Sequence, residues 1–173
     1  MQTFTPSLPL IYLNPGAMHF SEAPEKVCTV LGSCISVTLY SPERRIGAIC
    51  HALLPTAGRG AEDDFRYVDA SIRQMVAVFA GLGVGPLHLV AKLFGGSEMI
   101  AATVENRRIP SVGRQNIDSA LAVLGDEGLT LTALDVGGTC GRKLLFFTHT
   151  GDVLARRNSR KPRQSVGWDR TLT

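Results

Sequence analysis

The chain has 173 residues, 45% of them hydrophobic and 19% charged, enough to bury one substantial core and too few for two independent ones. Its formal net charge of +3 is only mildly basic, and much of the excess sits in Arg156, Arg157, Arg160, Lys161 and Arg163, a run without an acid. Positions 1–155 are therefore expected to form one near-neutral domain, and 156–173 a basic, flexible tail.

The N-terminus, Met1 to Pro6, lacks the cationic start of a signal peptide, and the apolar stretch Leu8 to Leu13 is short and interrupted by Pro9. No run approaches membrane-spanning length. The cysteines at 28, 34, 50 and 140 form no CxxC pair and no zinc-ligand spacing, so neither a metal site nor a disulfide framework is indicated. Reduced thiols in a cytoplasm are the expectation.

Asn14-Pro15-Gly16 marks a turn, and Val27 to Leu31 is a short apolar strand-like run ending in Gly32-Ser33. Ile35–Tyr40 and Ile46–His51 are two strands joined as a hairpin through Ser41 to Arg45. Asp63 or Asp64 is placed to cap a helix in which Phe65, Val68, Ile72, Met75, Val76 and Phe79 share one face, with Gly81 and Gly83 as its stop. Leu87 to Phe94 reads as a buried strand running into Gly95-Gly96. Asn116 is placed to cap a second helix, with Ile117, Ala120, Leu121 and Leu124 inward and Gly125 and Gly128 at its end. Leu129–Val136 alternates as a half-buried strand before Gly137-Gly138, and a last hairpin, Leu144–Thr148 with Val153–Arg156, turns about Thr150-Gly151-Asp152. The order predicts an α/β single-domain layered sandwich of mixed or antiparallel β-sheet with two main helices, because neighbouring strands join by tight turns.

A free cysteine usually packs as a small hydrophobe, and residue type alone does not distinguish one of the four. Spacing singles out Cys34. If the first hairpin turns symmetrically between Pro42 and Glu43, Cys34 and His51 lie directly opposite, on one face, with Cβ atoms about 4.5–5.5 Å apart. A one-residue slip would send His51 to the other face. A neighbouring imidazolium lowers a thiol pKa, and Gly32-Ser33 just before Cys34 permits a bend with backbone N–H groups free to face an oxyanion. The pair points to nucleophilic catalysis.

Taken together, Pro15-Gly16, the run Thr29-Val30-Leu31-Gly32-Ser33-Cys34-Ile35-Ser36-Val37, and Gly47-Ala48-Ile49-Cys50-His51-Ala52-Leu53-Leu54-Pro55 resemble the CheD family of chemoreceptor glutamine deamidases. The likeness continues through Ala91-Lys92-Leu93-Phe94-Gly95-Gly96, Val112-Gly113-Arg114-Gln115-Asn116, Asp135-Val136-Gly137-Gly138 and Thr150-Gly151-Asp152-Val153, with Gln115 where an Arg is common. The resemblance implies hydrolysis of particular glutamine side chains to glutamate, with release of ammonia, on methyl-accepting chemotaxis receptors, and hydrolysis of receptor glutamate methyl esters. It implies a Cys nucleophile at Cys34, a His at His51 and a catalytic Thr at Thr29, with Gly32 and Ser33 as candidate oxyanion or substrate-positioning residues. It implies no metal or other cofactor, a layered α/β sandwich, and a CheC-type chemotaxis phosphatase as partner. A non-catalytic chemotaxis module gripping receptor or phosphatase helices is the alternative, which the intact Cys34 and His51 disfavour. Nucleic-acid binding by the arginine run is disfavoured too, since no aromatic interleaves it before Trp168.

Overall fold

The computed structural model describes residues 7–98 and 110–158. Nine strands and two α-helices follow one another in the order β1 (Leu10–Tyr12), β2 (Ala17–Ser21), β3 (Lys26–Leu31), β4 (Ile35–Ser41), β5 (Ile46–His51), α1 (Val68–Gly81), β6 (Val90–Gly95), α2 (Val112–Asp126), β7 (Thr130–Val136), β8 (Arg142–Phe147) and β9 (Val153–Arg157). They build two mixed sheets: four strands ordered β1-β3-β8-β9 and five ordered β2-β5-β4-β6-β7. The layered α/β sandwich expected from the element order is the observed architecture. Among the described residues no helix is long and apolar enough to cross a membrane.

The centre of the five-stranded sheet, β4, β5 and β6, is buried on both faces. Because side chains alternate along a strand, Ile35, Val37 and Leu39 of β4, with Ile46, Ala48 and Cys50 of β5 and Ala91 and Leu93 of β6, project to one face. There they meet Val68, Ile72, Met75 and Phe79 of α1 and Ile117, Ala120, Val123 and Leu124 of α2. The other face sends Ile49 and Phe94 toward Val27, Leu31, Leu144 and Phe146 of the second sheet. A second, polar set shares that inter-sheet layer: Thr29, Ser36, Thr38 and His51 are all buried.

Several element boundaries depart from expectation for identifiable reasons. Helix α1 begins at Val68, with Tyr67 as its N-cap residue, and not at Asp63 or Asp64. Residues 65–67 are committed elsewhere: the Arg66 carbonyl accepts the N–H groups of Leu53 and Leu54, and Tyr67 bridges Leu54. Asp64 holds the Arg66 guanidinium instead. Gly85-Pro86 opens a 3₁₀ turn, so β6 starts only at Val90 and Leu87 is 87% exposed. Helix α2 starts at Val112, capped by Ser111, whose hydroxyl accepts the Arg114 N–H at 3.2 Å. Asn116 therefore lies inside the helix and is no cap. Its buried stripe is Asn116, Ile117, Ala120, Val123 and Leu124, spaced at helical period, which leaves Leu121 outside it at 41% exposure. Strands β1 and β2 were not expected; each is short and lies next to a proline, β1 pairing parallel with β3 and β2 antiparallel with β5. Arg156 and Arg157 belong to β9, while Arg160, Lys161 and Arg163 lie outside the described residues.

Candidate active site

The site sits where β3, β4 and β5 converge. The hairpin register differs from the symmetric one. Thr38 pairs with Ile49 and Ser41 with Ile46, and an isolated bridge joins Ile35 to Ala52 in the same register. The loop is Pro42–Arg45, four residues rather than a turn centred on Pro42-Glu43, and Arg45 closes it at φ 57° with its N–H on the Ser41 carbonyl. His51 thus falls opposite Ser36, and Cys34 opposite Leu53. The displacement is by two positions, not one, so His51 stays on the face of Cys34 as its diagonal neighbour, a geometry still within reach of a long side chain.

Thr29 reaches the same layer from the facing sheet. Its hydroxyl oxygen lies 2.7 Å from His51 Nδ1 and 3.0 Å from the Leu13 carbonyl. A carbonyl can only accept, so the single Thr29 proton goes to Leu13, and the Thr29 oxygen accepts from His51 Nδ1–H. That order leaves Nε2 as the unprotonated nitrogen of the neutral ring, and Nε2 is buried without a hydrogen-bond partner among the described residues. The imidazole is also tethered through its backbone, since the His51 carbonyl accepts the Gly16 N–H at 2.7 Å.

Burial governs both titrations. It pushes the half-buried Cys34 thiol above its ordinary pKa, and it lowers that of His51, against a smaller opposite pull from the Leu13 carbonyl. Both directions favour a neutral thiol and a neutral imidazole over the thiolate–imidazolium pair expected from proximity. Such a pair suits general-base activation as the thiol attacks.

Gly32, Ser33 and Cys34 form the loop between β3 and β4, and its three carbonyls are all engaged. That of Gly32 accepts the Ser97 N–H at 2.8 Å, that of Ser33 the Asn116 Nδ2 at 3.1 Å, and that of Cys34 the Gly96 N–H at 2.8 Å. The glycines after β6 make this approach possible. Gly95 has φ 108°, and a Cβ there would stand 2.3 Å from the Cys34 carbonyl oxygen. The segment is held from behind by Arg142, 1% exposed, whose guanidinium donates to the carbonyls of Gly95 and Gly137 and pairs with Asp135.

The other three cysteines serve differently. Cys50 faces the helices and its pKa is pushed up to about 12 by burial, Cys28 is buried in β3, and Cys140 lies in the loop before β8. A cleft of about 420 Å³ beside α1, bordered by Arg59, Glu62, Asp69 and Arg73, includes none of Thr29, Cys34 and His51. Among the described residues no three His, Cys, Asp or Glu side chains cluster as a metal site.

Known proteins are similar to this chain. Residues 53–157 match the family model described as CheD chemotactic sensory transduction. A relative from Geobacter sulfurreducens, named probable chemoreceptor glutamine deamidase CheD 2, is 53% identical over 155 residues, covering 90% of this chain and 94% of its own. The chain belongs to the CheD family. A second relative, the probable chemoreceptor glutamine deamidase CheD of Maridesulfovibrio salexigens, is 37% identical over 154 residues, covering 85% of this chain and 91% of its own. Among solved structures, the Bacillus licheniformis hypothetical protein YfiH aligns with TM-score 0.47 and 15% identity, over 70% of this chain and 51% of its own. The CheD family model starts at residue 53, after Cys34 and His51. The assignment of those side chains thus stands on their geometry.

Asn116 is the site residue that sequence reasoning misread. It stands in one of the blocks that carry the CheD likeness, at the end of a Gly-x-x-Asn run, and was assigned the ordinary task of an N-cap. Full burial is the property that sets it apart, and a capping reading leaves no room for it.

Proposed function

We propose that this protein hydrolyses glutamine side chains of chemotaxis receptors to glutamate, with Cys34 as nucleophile and His51 as acid/base. The observation that carries the reading is the Thr29–His51 hydrogen bond, which aims an unprotonated Nε2 into the layer that holds the Cys34 thiol. The names of the CheD relatives supply the substrate class.

In the first half-reaction His51 Nε2 takes the thiol proton as Cys34 Sγ attacks the amide carbonyl carbon. The oxyanion is met by backbone N–H groups of the 32–34 loop, those of Ser33 and Cys34 being the candidates. The C–N bond then breaks, and His51 returns the proton to the leaving nitrogen, releasing ammonia and leaving a γ-glutamyl thioester. Neutral His51 next takes a proton from water, whose oxygen attacks the thioester. Collapse expels Cys34 sulfur, which regains the proton, and glutamate leaves. Throughout, Thr29 keeps the ring in the tautomer that both halves require. Glutamate methyl esters fit the same scheme with methanol as leaving group.

Each turnover places a negative charge on a receptor surface, changing repulsion between neighbouring helices. The work is expected in the cytoplasm, with a CheC-type phosphatase as a further partner, and the residues that follow β9 are dispensable for the chemistry. The test is to incubate purified protein with a receptor cytoplasmic domain and to follow Gln-to-Glu conversion by peptide mass spectrometry. Wild type converts and Cys34→Ala does not. Undiminished conversion by Cys34→Ala sinks the mechanism, and receptor binding without conversion by wild type favours a binding module.

A further inference from the structure

Asn116 has no place in the scheme above, yet it is 0% exposed and reaches two backbone atoms on either side of the site. Its Nδ2 donates to the Ser33 carbonyl at 3.1 Å and to the Leu53 carbonyl at 2.9 Å. One side-chain amide thus ties the loop that presents Cys34 to the chain two residues beyond His51. Both donor hydrogens are spent on these two bonds, and Oδ1 is buried without a hydrogen-bond partner among the described residues. An asparagine retained at such a cost in polar satisfaction has a use for its donors.

The peptide plane says what that use is. In a trans peptide the carbonyl and the following N–H point in opposite directions, and the described chain has no cis bonds. Holding the Ser33 carbonyl toward α2 therefore turns the Cys34 N–H the other way, away from the helix. The neighbouring planes are held by backbone donors, from Ser97 to the Gly32 carbonyl and from Gly96 to the Cys34 carbonyl. The Ser33–Cys34 plane alone is set by a side chain. Its geometry is rigidly supported, because α2 packs on the same glycine segment so closely that a Cβ on Gly113 would lie 2.6 Å from the Gly96 carbonyl oxygen.

We infer that Asn116 is a positioning residue for the reaction: it locks the Ser33–Cys34 peptide so that the N–H of the nucleophile itself faces the developing oxyanion. The inference rests on Cys34 acting as an acyl-accepting nucleophile, as in the proposed function. It requires no contact between Asn116 and substrate.

Two reactions of the Cys34 thiolate separate this role from a structural one. Acylation by p-nitrophenyl acetate forms an S–C bond to a carbonyl carbon, passes through an oxyanion and expels p-nitrophenolate. Alkylation by iodoacetamide forms an S–C bond by displacing iodide and generates no oxyanion. Both depend equally on the thiolate, so their ratio, read at Cys34 by peptide mass spectrometry, reports the oxyanion donor. Asn116→Ala is expected to lower acylation by about 100-fold while alkylation stays within about threefold. Asn116→Leu keeps the branched shape and loses the donors, and it serves where the alanine variant does not fold. An unchanged ratio in the folded variant, or equal losses in both reactions, overturns the inference. Failure of wild type to deamidate a receptor domain, with the ratio still lowered by the variants, removes the glutamine substrate and leaves the role of Asn116 standing.

Discussion

The two faces of β4 and β5, both largely buried, are built on different principles. Toward the helices, β4 and β5 present Ile35, Val37, Leu39, Ala48 and Cys50, which pack into one large apolar cluster with Val68, Ile72, Met75 and Phe79 of α1 and Ile117, Ala120, Val123 and Leu124 of α2. Toward the second sheet the same two strands present Cys34, Ser36, Thr38 and His51 among Ile49 and Phe94. Alternation along a strand makes such a division possible with no change of fold, since adjacent residues never share an environment. The helix face supplies burial, at roughly 1.5–3 kcal/mol for each large side chain. The other face gives up part of that gain to hold polar atoms dry, two of which, Ser36 Oγ and His51 Nε2, have no hydrogen-bond partner among the described residues. Unpaired buried polar groups cost stability, and two of them within one inter-sheet layer are where a chemical function is to be sought.

Two cysteines test the division most sharply, because they occupy opposite faces. Cys34→Ala is expected to abolish turnover, by a factor of at least about 10³, with the thermal midpoint nearly unchanged. Cys50→Ser is expected to do the reverse, retaining turnover per folded molecule while losing about 1–3 kcal/mol from a hydroxyl buried among apolar neighbours. Deamidation kinetics and denaturant unfolding on the two variants check both. Loss of turnover in folded Cys50→Ser breaks the comparison.

Phe79→Ala is the next largest effect. Phe79 is fully buried in α1 and packs edge-on to Phe20 at 5.7 Å between centroids. Its truncation is expected to cost about 3–5 kcal/mol, seen as a lower urea midpoint, and to leave kcat of the folded fraction intact. Thr29→Val acts on the other face. It keeps the shape of the side chain and removes the acceptor of His51 Nδ1–H. The expected loss is about 10–100-fold in kcat with little change in KM, because the tautomer is no longer enforced. Unaltered kcat in Thr29→Val breaks the link between the hydrogen bond and the chemistry.

The helix-facing side was the legible one. Ile72, Met75 and Phe79 recur at helical spacing and are core, and the short apolar runs of β4 and β5 either side of Ser41–Arg45 located both strands. Periodic burial writes itself into a sequence because every turn or pleat repeats the same requirement. The inter-sheet side was legible at Cys34 and His51 through a register centred one position early, since Pro42-Glu43 has the look of a turn centre while the loop takes in Arg45, and at Thr29 only through the family resemblance. What stayed hidden depends on single contacts between distant segments: the start of α1, displaced by the Arg66 and Tyr67 pairing with Leu53 and Leu54, and Asn116, whose partners lie 83 and 63 residues away. Strands β1 and β2 escaped because each is an edge strand of few residues, defined by its neighbour rather than by its own pattern.

The smallest predicted effect concerns pH. Burial lowers the His51 pKa below its unfolded value, so between the two values the unfolded chain binds a proton that the folded chain refuses. Stability then rises with pH in that window, and falls as pH drops from about 6.5 toward the folded value. The same shift keeps the base neutral well into mild acid, while the raised Cys34 pKa delays loss of the thiol proton beyond the ordinary thiol range near 8.5. Receptor deamidation is therefore expected to show a broad plateau in kcat/KM, its acid limb below 6.5 and its alkaline limb above 8.5. A narrow bell centred near neutrality would show a thiolate–imidazolium pair already formed at rest, and would place the inter-sheet layer among wet active sites rather than dry ones.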